Sequence, residues 1–189
     1  MPESKPIVPI IKGERLADSS EMFLWDKAVR LRERINRNIY LSALYYRNLI
    51  IAHQFAQSKG IDIPGLDQMP VLEKRLYQAH VDYDYLSKSM NRVLDRTAGI
   101  RKNGSDLDIL DPGQGFGWII QVVAVGVLLV GTLIARLITV ESESQDVSDK
   151  LNSVLNSADK MFCTDPSSKI CEDWKAEKVK SDYVHNMTL

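Results

Sequence analysis

Cysteine, histidine and aromatic residues are scarce in this chain, and each shortage removes a class of protein. Of 189 residues, two are cysteine and three histidine, and aromatics make up 7%. Two cysteines support neither a disulfide framework nor a four-cysteine zinc site. Few aromatics argue against a β-sandwich. Ten glycines and seven prolines exclude collagen-like and low-complexity chains. A formal net charge of −1 gives the molecule as a whole no polyanion-binding character. His53, His80 and His185 each stand alone, with no His–Glu pair at metal spacing, no nucleophile elbow and no phosphate loop. Neither a cofactor nor a metal is expected, and the chain does not read as an enzyme.

Charge itself is missing from one stretch. Residues 115–140 read GFGWIIQVVAVGVLLVGTLIARLITV, and the twenty residues Phe116–Ala135 carry no charged side chain. As a helix rising about 1.5 Å per residue, such a run covers about 30 Å, the thickness of a bilayer's hydrocarbon core. Gln121 and Thr132 are mild exceptions. The pattern predicts one transmembrane helix over 115–140, with Trp118 at the interface and Arg136 snorkelling at the outer end. The run is internal and Met1–Ser20 has no apolar core, so no secretory leader is expected there. Gly117, Ala124 and Gly131 recur every seven residues and Ala135 follows by four, a small-residue face that favours helix packing in lipid.

The flanks suggest an orientation. Residues 1–114 hold 17 basic and 15 acidic side chains, and residues 115–189 hold 7 and 10. Near the run, Arg96, Arg101 and Lys102 precede it and Arg136 and Lys150 follow, a slight basic excess on the N-terminal side. Cys163 and Cys171 both follow the run and flank TDPSSKI, a turn-forming segment short enough to close a disulfide loop. Disulfides persist in oxidising compartments. Both features favour an inside N-terminus and an outside C-terminus, in a bacterial inner membrane or a virion membrane rather than in secretion.

The rest of the pattern is helical, so the fold class is all-α. Pro2, Pro6 and Pro9 make residues 1–17 an extended arm. Asp18 with Glu21 forms a capping-box start, and no proline or glycine follows until Gly60. Leu24, Ala28, Leu31, Ile35, Asn38, Ser42, Tyr45, Leu49, Ala52 and Ala56 keep 4,3 spacing along this rod. Asn38 and Ser42 interrupt the apolar stripe, as register-setting polar residues do. After a loop containing GIDIPGLDQM, Pro70 opens a second helix whose seam is Leu72, Leu76, Ala79, Tyr83, Leu86, Met90 and Val93, closed by Gly99. Residues 18–100 thus form a helical hairpin or coiled coil. Each helix offers one apolar stripe, so coverage is expected from neighbouring copies, with a small intramolecular bundle as the alternative. Residues 101–114 read as a polar linker. Leu110 and Pro112 spoil a calcium-loop reading of Asp106, Asp108 and Asp111, and Trp118 stands where a dinucleotide fingerprint needs glycine. Residues 141–189 read as a short amphipathic helix (Val147, Leu151, Val154, Ala158, Met161) and a charged tail.

The remaining functional signal is basic. Lys27, Arg30, Arg34 and Arg37 share one helical face at 3,4,3 spacing, as an anionic-lipid or nucleic-acid contact would, with Asp26 and Glu33 partly neutralising them. Two function classes fit best. The first is a single-pass membrane-anchored structural protein that oligomerises or docks partners through its helices, as parts of envelope machines and virus particles do. The second is a membrane-permeabilising or conduit-forming protein, holin-like or pilot-like, resting on Gly117, Ala124, Gly131 and Gln121. A tether to nucleic acid or anionic lipid through the basic stripe is a third.

Overall fold

The computed structural model describes the backbone of residues 19–108 and 115–187 and the side chains of 23–93 and 130–180. The predicted arm at 1–17 and the Asp18 cap lie outside them. The fold is all-helical, with no strand among the described residues: α1 (Ser19–Lys59), a 3-10 turn (Leu66–Gln68), α2 (Met69–Asp108), α3 (Gly115–Phe162) and α4 (Lys169–Met187).

Helix α1 runs unbroken for 41 residues and stops where the sequence predicts. Gly60 takes φ +66, and two hydrogen bonds tie off the end: the Ile61 amide donates to the Ala56 carbonyl at 3.0 Å and the Gly60 amide to Gln57 at 3.4 Å. This is the 6→1 and 5→2 pairing that glycine permits at a helix C-terminus. Gly65, at φ +84, makes the next corner, and a Cβ there would meet Val154 Cγ2 at 3.3 Å. Pro70 occupies the first turn of α2, where its missing N–H costs nothing.

Two helix ends differ from expectation. Helix α2 continues through Gly99 and Gly104 to Asp108, so the N-terminal part of the predicted 101–114 linker is helical and residues 109–114 lie outside the described residues. A helix-interior glycine costs about 1 kcal/mol but stops a helix only where the chain turns left-handed. The amphipathic stretch after the run continues directly from it: α3 is one element of 48 residues, about 72 Å long, from Gly115 to Phe162. The charged tail is helical as well, as α4.

The chain divides into two compact units that cut across its sequential order. Unit 1 holds residues up to Asn36 together with Val81–Glu141, and unit 2 holds Arg37–His80 with Ser142–Leu189. Each of α1, α2 and α3 therefore contributes a segment to both.

In unit 2 one apolar core gathers Leu49, Ala52 and Ala56 of α1, Ile63 of the loop, Leu72 of α2, Val147, Leu151, Val154, Leu155, Ala158 and Phe162 of α3, and Trp174 of α4. The hairpin stripes are thus covered by the chain's own α3, where the sequence reading looked to neighbouring copies. On α3 the last inward position is Phe162, and the predicted Met161 is exposed. In unit 1 the described side chains lie on 23–36, 81–93 and 130–141. Trp25, Ala28, Val29, Leu31 and Ile35 are buried there, as are Leu86 and Met90, and so are Val130, Leu133, Ile134, Leu137 and Val140.

Candidate functional site

Three features carry chemistry: the docking of α4, a buried polar layer, and the exposed face of α3 at the end of the uncharged run. The α4 dock starts at the turn after α3. Asp165 Oδ1 accepts from the Ser167 amide at 3.0 Å and from its hydroxyl at 2.7 Å. These bonds to the charged form hold the Asp165 carboxyl below its ordinary value. Ser168 caps α4 by accepting from the Cys171 amide at 3.2 Å. Cys163 and Cys171 form the expected disulfide, with Cα atoms 4.6 Å apart. One turn further, Trp174 is buried against Phe162 (centroids 4.9 Å) and Phe55 (5.5 Å). Its indole N–H donates to Asp159 Oδ1 at 2.7 Å, and Lys178 Nζ donates to the same carboxylate at 3.0 and 3.1 Å. Lys59 of α1 pairs with Asp173 at 3.5 Å.

The polar layer sits on the α1–α3 seam of unit 2. Asn38 and Ser42 of α1 and Ser144 and Ser148 of α3 are all buried. Asn38 Nδ2 donates to Ser144 Oγ at 3.1 Å across 106 residues of sequence. The Ser42 hydroxyl is buried with no hydrogen-bond partner among the described residues. Nearby on α2, Arg75 Nη2 donates to Glu143 Oε2 at 2.9 Å and to Asp146 Oδ2 at 2.7 Å. Lys150 reaches Asp146 at 3.0 Å. Hydrogen bonding from Arg75, then from Lys150, holds the Asp146 carboxyl below its usual range, and the bonds to Glu143 and then Asp146 raise Arg75.

The sequence-predicted sites fall as follows. Along the α2 seam Leu72, Ala79, Leu86 and Met90 are buried, while Leu76, Tyr83 and Val93 are half-buried. The basic residues Lys27, Arg30, Arg34 and Arg37 are all exposed, and Arg30 pairs with Asp26 at 2.9 Å. The small-residue face is seen in part. Gly117 and Ala124 lie outside the described side chains, whereas Gly131 and Ala135 point outward, and a Cβ at Gly131 would meet nothing within 4 Å. Sequence reasoning missed Arg75, Asp159, Trp174 and the two α3 serines. Ser144 and Ser148 were findable: they extend the stripe Val140, Val147, Leu151 by helical spacing. Arg75 was not, because its partners lie some 70 residues away.

Among the described residues no helix is long and apolar enough to cross a membrane, and residues 116–129 of the uncharged run lie outside the described side chains. Among the described residues no cluster of three His, Cys, Asp or Glu side chains could hold a metal. Comparison with protein-family models, with curated proteins and with solved structures yields no match.

Proposed function

We propose that this chain is a non-enzymatic, membrane-associated assembly protein: a helical body held at a bilayer by the uncharged run. The observation that carries the reading is the continuity of α3, one helix from Gly115 to Phe162 whose N-terminal part is the run and whose C-terminal part is the spine of unit 2. The exposed apolar side chains Tyr40, Ile50, Val71 and Tyr77 of unit 2 supply surface on which a protein partner or a second copy can dock. The exposed basic residues Lys27, Arg30 and Arg34 suit an anionic lipid headgroup or a nucleic-acid phosphate beside it.

The conduit reading has one observation in its favour, the outward placement of Gly131 and Ala135, which leaves a small-residue face free for helices of other copies. Flotation on liposomes tests the main proposal. The full chain should float and resist a high-salt, alkaline wash. Val123→Arg together with Val127→Arg should abolish this, since each arginine costs about 2.5–3.5 kcal/mol in mid-bilayer. Dye leakage by the parent protein that Gly131→Leu removes would favour the conduit. Failure of the full chain to float would refute both.

A further inference from the structure

Unit 2 is built from both sides of the uncharged run in sequence. Residues 37–80 precede it and residues 142–180 follow it, yet they share one core. Asn38 bonds Ser144, Arg75 bonds Glu143 and Asp146, Lys59 pairs with Asp173, and Phe55 stacks on Phe162 and Trp174. Residues in contact through hydrogen bonds and a common core occupy one aqueous phase. A chain that crosses a bilayer once between residues 116 and 135 would put these partners on opposite faces.

The second half of the run bears on the same point. Over 130–140, Val130, Leu133, Ile134, Leu137 and Val140 are buried, while Gly131, Thr132, Ala135, Arg136, Ile138 and Thr139 are exposed. This is a one-sided helix. The other helical stretches of unit 1 carry exposed Asp26, Lys27, Arg30, Glu33 and Arg34 on α1 and exposed Asp84, Lys88 and Arg92 on α2. Each such ion costs about 2.5–3.5 kcal/mol at a bilayer centre, so the surroundings in which 130–140 is packed do not belong in hydrocarbon. Residues 115–129 of the run precede this packed stretch in the same helix. Fifteen helical residues reach about 22 Å, less than the roughly 30 Å core.

We propose that the folded protein binds its bilayer from one face only: residues 37–80 and 142–180 remain together on the same side, and the run enters one leaflet without passing through. This rests on the bilayer-binding reading above, and it replaces the opposite-sides topology expected from the basic residues and cysteines.

Two single-cysteine variants at exposed positions test it in membranes of cells expressing the full chain: Gln54→Cys on α1 and Lys175→Cys on α4. Cys163 and Cys171 are disulfide-bonded and remain silent to a membrane-impermeant maleimide in the absence of reductant. In sealed right-side-out vesicles and in inverted vesicles, the two positions should be labelled together in one preparation and protected together in the other. The pair Asn38→Cys with Ser144→Cys should also crosslink within the membrane-bound protein. Labelling of Gln54→Cys and Lys175→Cys in opposite preparations would overturn the proposal and establish a single crossing with unit 2 open. Loss of the protein from the membrane fraction altogether would overturn the bilayer-binding reading instead, and this proposal with it.

Discussion

The two units share three helices, and their described contacts differ in kind. Unit 2 joins its helices through an aromatic trio, a disulfide-closed turn, a buried Asn–Ser bond and ion pairs between separate elements, notably Arg75 with Glu143 and Asp146. Among its described side chains unit 1 buries mostly aliphatic and alanine positions, and its described pairs include Asp26–Arg30 and Asp84–Lys88, each spanning a single helical turn. Pairs of that kind contribute about 0.3–0.5 kcal/mol and choose no tertiary partner. Directional contacts between helices specify one arrangement, whereas an aliphatic stripe is satisfied by any apolar surface, lipid included. The described contacts of unit 2 include directional ones between separate helices, and these specify one arrangement of its body.

The sharpest way to break this contrast is to remove the anchor of unit 2. Trp174→Ala takes a fully buried ring from between Phe55 and Phe162 and deprives Asp159 of its indole donor. It should cost about 3–5 kcal/mol in denaturant unfolding, whereas exposed Phe23→Ala in unit 1 should change little. Next in size is the disulfide. Replacing Cys163 and Cys171 with serine frees an eight-residue loop, and the chain-entropy account gives a loss of about 2.5 kcal/mol. Loosening should show first as faster amide exchange in α4.

How far the sequence foretold these units depends on the kind of contact. The α1 stripe was fully legible: Ala28, Leu31, Ile35, Asn38, Ser42, Leu49, Ala52 and Ala56 are buried and Leu24 and Tyr45 half-buried, because helical periodicity reports the inward face directly. The disulfide and the Gly60 stop were legible from local chemistry. The docking of α4 was not, since Cys171, Trp174 and Lys178 make a stripe too short and too polar to stand out from a charged segment. Least legible was the run itself. Hydropathy cannot distinguish an apolar face turned to protein from one turned to lipid, so residues 130–140 looked uniform until packing separated Leu133, Ile134 and Leu137 from Gly131 and Ala135.

Smaller effects refine the comparison. Ser42→Ala removes a buried hydroxyl that has no partner among the described residues and should be neutral or stabilising by about 1 kcal/mol, read from the unfolding midpoint. Asn38→Ala should destabilise, because it removes the buried bond from Asn38 Nδ2 to Ser144 Oγ. The Arg75 link is exposed enough to contribute under about 1 kcal/mol, but it has a pH signature. The folded-state carboxyl of Asp146 lies below its unfolded value of about 3.9. Its stabilisation is therefore complete above that value and is lost as pH falls through the depressed folded value. Arg75→Ala should lower stability at neutral pH and flatten the acid limb of the stability–pH curve.

The central claim is that unit 2 is a closed body which persists when the protein is on a membrane. Hydrogen exchange of the full chain, free and bound to vesicles, tests it most directly. The account predicts that amides of residues 49–56 and 147–158 keep the same slow exchange in both states. Rapid exchange of those two segments on vesicle binding would contradict it, for then the body opens and the chain reaches its membrane form by parting α1 and α2 from α3.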